Sequence, residues 1–318
     1  MSEHPVCPVC GSSDFRKLFA AGDRLYRTTE RQFQVVKCAE CEALRLEPSP
    51  TSQGLDEYYP RHYWFRPEGG AASRLEEAWR RLVVRDHVRF VERALAGAGW
   101  PGPVLDVGCG GGLFLRLLKD RGYRVAGLDR ASEAAGLCWK QNAVPAVCGS
   151  LEQAPVAPGS CAAVTMFHVL EHVPDPRAYL LAARELLRPG GRLIVQTPNT
   201  ASWQFALLGR RWSGLDVPRH LVSFPALGLE RLLESCGFQV TRRKHFSWRD
   251  NPAALAASLA PWLDPMARRV RGAPEGGPLR LLKDLVYFAL LAASVLPTAL
   301  EAAFGAGSTI MLEARRQA

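Results

Sequence analysis

The sequence lacks the patterns that mark three classes of protein. Its first residues, MSEHPVCPVCG, contain no charged segment followed by an apolar run, so no secretory signal peptide is expected and a reducing cytoplasm is the default location. The uncharged apolar stretch of residues 285–300 has 16 residues, below the roughly 20 that a spanning helix needs, and Pro297 interrupts it. No stripe combines basic with aromatic residues, which disfavours a nucleic-acid partner.

What the chain does contain is the apolar content of a globular protein and an excess of arginine. Of its 318 residues, 47% are hydrophobic, which fits one main domain with additions. The 40 basic and 31 acidic residues give a formal net charge of +9, and 34 of the basic residues are scattered arginines. Such a charge suits an acidic small molecule or an anionic lipid, but it identifies neither.

Four of the nine cysteines form two pairs at the front of the chain. Cys7 with Cys10 and Cys38 with Cys41 are C-x-x-C knuckles, which together can surround one tetrahedral cation at about 2.3 Å from each sulfur. Four soft ligands favour zinc, and because they leave no open position, the ion would stabilise the fold rather than catalyse. RQFQVVKC, between the pairs, is typical of a zinc-ribbon hairpin strand. Reduced, unpaired thiols are the alternative, against which Gly11 argues by permitting a tight turn.

Residues 51–99 are predicted to form a linker and a lid helix. Residues 74–95 repeat apolar side chains at spacings of three and four, which predicts a helix with one buried face. Those side chains are Leu75, Ala78, Trp79, Leu82, Val83, Val88, Val91 and Leu95. The preceding aromatic stretch YYPRHYWF fits either packing or the covering of a ligand.

A glycine-rich turn follows the first clear strand. The apolar run of residues 104–107 leads into GCGGG and then into the helical pattern LFLRLLKDRG, and the next strand, RVAGLD, ends at Asp129. The glycines at alternate positions are Gly108, Gly110 and Gly112. Such a turn lets the backbone approach a ligand closely, and Asp129 can accept hydrogen bonds from ribose hydroxyls. Asp106, beside the turn, would repel a pyrophosphate but tolerate a cationic amino-acid ligand, which disfavours NAD.

VLDVGCGGG followed by Asp129 resembles the S-adenosylmethionine (SAM) motif of the class I methyltransferases. The resemblance implies an α/β fold with a Rossmann-like, doubly wound sheet of seven strands, the last of them antiparallel. It also implies that SAM binds here, its methionine part at one set of residues and its ribose at Asp129. The first set comprises Asp106, Gly108, Gly110 and Gly112.

The adenine contacts depart from the family's pattern. An acidic residue commonly follows the third strand of such enzymes, with an apolar residue beside it. Here Ser150 stands at that place and Leu151 follows, so we expect these two at the adenine. The Ser150 hydroxyl can both donate and accept a hydrogen bond.

The stretch HVLEHVP, residues 168–174, has the H-x-x-E-H spelling of an inverted zinc-protease motif. Because Pro174 prevents the long helix that such a protease needs, we disfavour that interpretation. We expect Glu171 and His172 to support the turn instead. The buried-strand run CAAVTMF before it would deliver His168 to the edge where open α/β sheets bind ligands. Asp175 then begins a helix, PRAYLLAARELL, predicted to be closed by glycines 190 and 191.

His168 and His220 are the candidate general bases. HVLEHVPDP followed by LLRPGGRLIVQTPN looks like the fourth-strand and fifth-strand regions of small-molecule methyltransferases, which implies that Phe167 and His168 lie near the sulfonium and the acceptor. The loop WSGLDVPRHLVSF adds Asp216, Arg219 and His220 on the acceptor side. A hydroxyl acceptor needs a base, and an imidazole is largely neutral near pH 7. A structural, hydrogen-bonded histidine is the alternative for each.

The C-terminal part is predicted to complete the sheet. PALGLERLLESCGFQVTRRKHF indicates a helix and a sixth strand, and GSTIMLEARRQ looks like the antiparallel seventh. Between them, residues 285–300 fit a core or homodimer contact, a peripheral docking site for a membrane surface or a lipid acceptor, or a membrane span. The first of these is favoured.

The predicted organisation is therefore a zinc-ribbon-like module over residues 1–50, the linker and lid helix over 51–99, a SAM-binding domain over 100–250 plus 305–318, and an apolar helical insertion over 251–304. The predicted activity is methyl transfer from SAM to a small-molecule, saccharide or lipid acceptor, most simply O-methylation with a histidine base. Two alternatives stay open. One is C-methylation of a nucleotide sugar, and the other is a binding protein with a zinc ribbon that keeps the fold without catalysis.

Overall fold

The computed structural model describes residues 6–51, 54–59, 71–97, 102–272 and 277–317. Its strands are β1 (Phe15–Ala21), β2 (Phe33–Cys38), β3 (Leu44–Glu47), β4 (Val104–Val107), β5 (Val125–Asp129), β6 (Ala146–Cys148), β7 (Cys161–Phe167), β8 (Leu187–Pro198), β9 (Val222–Ser223), β10 (Phe238–Lys244) and β11 (Thr309–Arg316). Its α-helices are α1 (Ala71–Ala96), α2 (Leu113–Lys119), α3 (Ser132–Asn142), α4 (Pro176–Leu186), α5 (Trp203–Leu208), α6 (Ala226–Ser235), α7 (Asn251–Leu259), α8 (Pro265–Val270) and α9 (Gly277–Ala303).

The larger sheet has seven strands in the order β10-β11-β8-β7-β4-β5-β6. The five strands from β8 to β6 pair in parallel, while β11 pairs antiparallel with both β8 and β10. The predicted Rossmann-like sheet with an antiparallel last strand is thereby confirmed. In such a sheet the carboxyl ends of the parallel strands share one edge, which is where ligands bind.

Alternating side chains of the central strands form a core on each face of this sheet. On one face, Val164 and Leu193 pack in a cluster with Leu180 of α4 and Leu229 of α6. On the other face, Ile194 belongs to a cluster with residues of α1, α2 and α3. This double coverage explains why β4 and β7 are buried along nearly their whole length, since parallel strands are covered on both sides.

The second sheet joins the N-terminal segment to the main domain. Its order is β1-β2-β3-β9, with antiparallel pairing throughout. The last strand, β9, comes from the loop that follows α5 and pairs Leu44 with Ser223 and Arg45 with Val222. The core is also continuous here, because Cys38 and Cys41 belong to the same apolar cluster as Phe224.

Two local predictions differ from the structure. Helix α1 buries Val83, Val88, Val91 and Leu95, but Trp79 is 41% and Leu82 55% exposed. Trp79 borders an open cavity instead of the sheet. The side chain of Leu75 and residues 60–65 of the aromatic stretch fall outside the described part. The predicted glycine stop of α4 is wrong: the helix ends at Leu186, and glycines 190 and 191 lie within β8.

Helix α9 presents a long apolar surface. Among the described residues it is the one helix with the length and composition to cross a membrane, although only 22% of its most apolar window is buried. Leu285, Phe288 and Leu296 are each at least half exposed. Most of this helix is therefore not packed into the core of the chain, and its contacts within the chain are chiefly with α7. The homodimer contact, which the sequence favours together with core packing, stays a prediction.

Candidate active site

The glycine turn connects β4 to α2 in a conformation that other residues would not tolerate. Gly108, Gly110 and Gly112 all have positive φ values, of 72°, 52° and 77°. A Cβ at position 112 would stand 2.4 Å from Sγ of Cys138, and one at position 108 would stand 2.6 Å from Cγ2 of Val169. The glycines therefore let this turn pack closely against its neighbours, and the turn lies at the carboxyl edge of the sheet.

Two buried carboxylates flank the turn. Asp129 accepts hydrogen bonds from the backbone N–H groups of Gly110 and Ala131, each at 2.9 Å, and so holds the turn in place. Burial raises the pKa of Asp129. Asp106 accepts a hydrogen bond of 2.5 Å from the Thr165 hydroxyl, and burial raises its pKa to about 7. The predicted roles of both in donor binding stay predictions.

The residues expected at the adenine lie beside β6. Ser150 precedes a short 3₁₀ turn, Leu151–Gln153, whose first residue, Leu151, is buried in the core. Phe167, at the end of β7, packs edge to face against Phe114 and His87, with ring centroids 5.0 and 4.8 Å apart. Neither Ser150 nor Leu151 borders the cavity described below, whereas the neighbouring Gly149 does.

His168 follows β7 with a φ of 57°, a left-handed backbone that few residues other than glycine adopt. Its Nδ1 lies 3.0 Å from Oε1 of Glu171, and its Nε2 lies 3.4 Å from Oδ1 of Asp250. Burial lowers the pKa of His168, but the Asp250 and Glu171 carboxylates outweigh it and raise the pKa to about 9. The imidazole therefore carries a proton at neutral pH, and acting as a general base would require its prior loss.

Asp250 and Gln196 are site residues that sequence reasoning missed. The Gln196 amide donates a 2.6 Å hydrogen bond to Asp250 and lies 3.0 Å from Nε2 of His168. Although burial alone would raise it, the pKa of Asp250 is held well below its usual range by the charge of His168. Gln196 was visible as a polar residue inside a buried strand, RLIVQTPN, but nothing local in the sequence singled out Asp250.

His220, the other candidate base, lies against Glu171 and His172. The His172 and His220 ring centroids are 4.6 Å apart, and one ligand atom from each of the three residues lies within 4.8 Å of the others. Burial lowers the pKa of His172 to about 4, so this imidazole is neutral. The expected support of the turn is also present, since the Leu221 N–H donates to the Glu171 carbonyl at 2.7 Å.

Arg219 anchors the loop that carries His220. Its fully buried guanidinium binds Asp23 with two hydrogen bonds of 2.9 and 3.0 Å and Asp216 with a closest approach of 2.7 Å. The two carboxylates outweigh the effect of burial and raise the pKa of Arg219. Asp23 belongs to the N-terminal segment, so this pair of salt bridges joins it to the acceptor-side loop. Arg219 thus has a structural role here and does not face the acceptor.

One large cavity is lined both by the glycine turn, which forms the donor half of the site, and by the histidines, which form the acceptor half. Its volume is about 2300 Å³, and its lining includes Gly110, Asp129, His168, His172 and His220. Sites for single small ligands typically have roughly 300 to 1000 Å³, so there is space for a donor and an acceptor together.

The four N-terminal cysteines converge as predicted. Sγ of Cys7 lies 3.5 Å from that of Cys41, Sγ of Cys10 lies 3.6 Å from that of Cys38, and all four lie within 4.8 Å of one another. Four sulfurs at about 2.3 Å from a tetrahedral zinc ion would be separated by about 3.8 Å, so the cluster fits the ion. Zinc itself stays a prediction.

Comparison with known proteins agrees with this geometry. A family model described as a methyltransferase domain matches residues 73–243. The chain is 41% identical over 110 residues to a ubiquinone biosynthesis O-methyltransferase of Xanthomonas campestris pv. campestris, and 36% identical over 138 residues to the protein of that name from Chromobacterium violaceum. These matches cover 33% and 41% of this chain and 46% and 59% of the two relatives, so the chain spans about half the length of the curated relatives it matches.

Among solved structures, one similar chain is described as a candidate sarcosine dimethylglycine methyltransferase from Galdieria sulphuraria. The TM-score is 0.51 at 15% identity, and the match covers 73% of this chain and 86% of that one. At this identity the likeness concerns the fold alone.

Proposed function

Because the chain belongs to the methyltransferase-domain family and is a class I SAM-dependent methyltransferase, we propose that it methylates a hydroxyl group of a small-molecule acceptor. The observation that carries the proposal is the set of histidines on the wall of the cavity that the glycine turn also lines. A hydroxyl group becomes a good nucleophile only when its proton is removed, and imidazoles are the usual groups for that step. The names of the curated relatives support O-methylation.

The donor would lie along the glycine turn. In this proposal the backbone at Gly108, Gly110 and Gly112, with Asp106 nearby, holds the methionine part, while Asp129 accepts hydrogen bonds from the ribose. Phe167, on the cavity wall, would lie at the sulfonium end, and the expected adenine contacts of Ser150 and Leu151 would need that segment to shift, because only the neighbouring Gly149 borders the cavity. SAM supplies an electrophilic methyl group on a cationic sulfonium, and the protein's task is to hold the acceptor oxygen in line with it.

Of the two candidate bases, His220 fits the task better. Its Nδ1 lies 2.8 Å from the Gly214 carbonyl oxygen, which can only accept, so Nδ1 carries a proton and, in the neutral imidazole, Nε2 has the lone pair. His168 would act from its position beside Asp250, orienting the acceptor side. Loss of a positioned base commonly slows a reaction by about 100-fold to 10,000-fold. We therefore expect His220→Ala to lower the turnover rate by at least about 100-fold.

The test uses SAM labelled in its methyl group and a panel of phenolic, saccharide and lipid acceptors. We expect label to enter one class as a methyl ether, from which hydriodic acid releases methyl iodide. His220→Ala should lose this turnover while binding SAM in calorimetry as the wild type does. His245→Ala, a substitution outside the cavity lining, serves as the control and should retain turnover.

The same assay separates the alternatives. Label that hydriodic acid does not release, found on a nucleotide sugar, would show C-methylation and contradict the proposal. SAM binding by the wild type with no transfer to any class would favour the non-catalytic alternative. The exposed face of α9 leads us to propose peripheral contact with lipid at a cytoplasmic membrane surface, in which case lipid acceptors react only when presented in vesicles. A homodimer contact through the same face predicts no such requirement.

We also propose that the cysteine cluster holds one structural zinc ion. The protein purified without chelators is expected to contain zinc at Cys7, Cys10, Cys38 and Cys41, and Cys38→Ser should lose one equivalent in atomic emission analysis. Binding of the ion by four sulfur ligands would stabilise the N-terminal segment, so this variant should also unfold at a lower temperature.

The matched control for the zinc experiment is Cys148→Ser, since Cys148 is an exposed thiol outside the cluster. It should keep the metal content and melting temperature of the wild type. A wild-type protein free of metal, or a Cys38→Ser variant with undiminished zinc, would refute the assignment.

A further inference from the structure

Glu171, His172 and His220 form a group of potential metal ligands apart from the cysteine cluster. Glu171 and His172 lie on the short 3₁₀ turn after β7, Leu170–His172, and His220 comes from the loop before β9. One ligand atom from each lies within 4.8 Å of the other two, so small movements of the side chains would bring all three to one ion, around which ligands at about 2.0 to 2.2 Å are at most about 4.4 Å apart. The two histidines also line the cavity that contains the glycine turn.

Hydrogen bonds determine which ring nitrogen of each histidine is available to bind a metal ion. Nδ1 of His172 lies 3.0 Å from the Arg219 carbonyl oxygen and 2.9 Å from the Tyr59 hydroxyl, and Nδ1 of His220 lies 2.8 Å from the Gly214 carbonyl oxygen. Since a carbonyl oxygen only accepts, both Nδ1 atoms carry the proton and both Nε2 atoms keep a lone pair. Metal-binding histidines are commonly oriented by this kind of bond from the other ring nitrogen to a carbonyl.

Only one of the two carboxylate oxygens of Glu171 has a hydrogen-bond partner among the described residues. The side chain is fully buried, and its Oε1 lies 3.0 Å from Nδ1 of His168, which donates a hydrogen bond to it. Its Oε2 has no hydrogen-bond partner within the described part of the chain. A buried carboxylate oxygen with no partner is costly, and a cation would compensate it.

We infer that Glu171, His172 and His220 bind a divalent transition-metal ion in the acceptor half of the cavity. Two imidazole nitrogens and one carboxylate oxygen suit zinc, manganese, iron or cobalt better than magnesium, which prefers oxygen ligands alone. Three protein ligands leave coordination positions open, as in catalytic metal sites, whereas the four cysteines leave none. His168 is then a positioning residue that holds Glu171 through Oε1.

The inference rests on the proposed O-methylation and changes how the hydroxyl is activated. An acceptor oxygen bound at an open position has a lowered pKa and gives its proton to solvent. The resulting oxyanion attacks the methyl carbon of SAM, the carbon–sulfur bond breaks, and its electron pair returns to sulfur to give the neutral thioether. One ether bond forms and one proton is released. With the ion bound, the lone pair of His220 serves the metal and no imidazole base is needed.

The experiment titrates Co²⁺ into the full-length protein after mild treatment with EDTA, with the cysteine cluster kept loaded with zinc. Visible absorption distinguishes the two sites, because cobalt bound by thiolates gives an intense charge-transfer band that cobalt bound by nitrogen and oxygen lacks. We expect the wild type to bind one equivalent without that band. Glu171→Gln and His220→Asn should bind at least about 100-fold more weakly, and His168→Ala about 10-fold to 100-fold more weakly.

His245→Ala is the matched control and should bind Co²⁺ as the wild type does, and SAM binding by every variant reports that the fold is intact. Failure of the wild type to bind this one cobalt equivalent, or binding by Glu171→Gln and His220→Asn as tight as that of the wild type, would overturn the site. Full turnover by metal-free protein would also overturn the activation step, in favour of His220 as a base, while leaving O-methylation standing. No turnover with any added metal would instead refute the proposed function.

Discussion

Replacing Arg219 by methionine should lower the free energy of unfolding by about 3 to 5 kcal/mol, the usual cost of removing one partner from a buried ion pair. The substitution leaves the buried carboxylates of Asp23 and Asp216 without their cation. Because Asp23 belongs to the N-terminal segment, that segment should also become sensitive to proteases. Urea denaturation and limited proteolysis measure the two effects.

The control for this prediction is Arg81→Met. Arg81 is exposed and pairs with the partly exposed Glu77 at 2.7 Å, and such surface pairs contribute at most about 1 kcal/mol. Equal destabilisation by the two substitutions would contradict the role assigned to Arg219.

The pH dependence of the Asp23→Asn variant tests the same contact. Burial alone would raise the pKa of Asp23, but its bonds to Arg219 outweigh this and lower it to about 2 from an ordinary 3.8. A lowered folded-state pKa stabilises the protein above the ordinary value and loses that effect as the pH falls. The difference in stability between wild type and Asp23→Asn should therefore shrink between about pH 5 and pH 2.

Asp129→Ala should weaken SAM binding by about 100-fold or more. Each hydrogen bond from a ribose hydroxyl to a carboxylate contributes about 1.5 to 3 kcal/mol, so the loss of two accounts for that factor. The variant also loses the bonds that hold the Gly110 and Ala131 amides. Calorimetry measures the affinity directly.

Asp120→Ala is the comparison for Asp129→Ala, because Asp120 is an exposed carboxylate at the end of α2 whose partner is Arg116. It should bind SAM like the wild type. If Asp129→Ala bound SAM as tightly as the wild type does, the proposal that Asp129 binds the ribose would be wrong.

The donor half of the site could be predicted from the sequence because its parts are close along the chain. The glycine turn, the strand before it and Asp129 lie within one strand–helix–strand unit, and each glycine is needed for a local reason, a positive φ or a close neighbour. The start of α4 was predicted for the same reason, since Oδ1 of Asp175 accepts from the Ala178 N–H three residues on.

The acceptor half could not be predicted in this way. H-x-x-E-H suggested His168 as the reacting group and Glu171 with His172 as its support, but which histidine nitrogens are free depends on carbonyl groups far along the chain. His172 and His220 meet only because β9 and the loop before it fold back against the turn after β7. Asp250, which holds the proton on His168, is more distant still, and no local pattern surrounds it.

The pairing of β9 with β3 has a consequence for the order of folding during synthesis. Residues 6–51 leave the ribosome long before Val222 and Ser223 are made, so the small sheet must wait with one edge open. The ion pair of Asp23 likewise cannot form until Arg219 has been synthesised. Early metal capture by the cysteines would hold this segment in a compact form during that interval and keep its open strand edge from pairing with another chain.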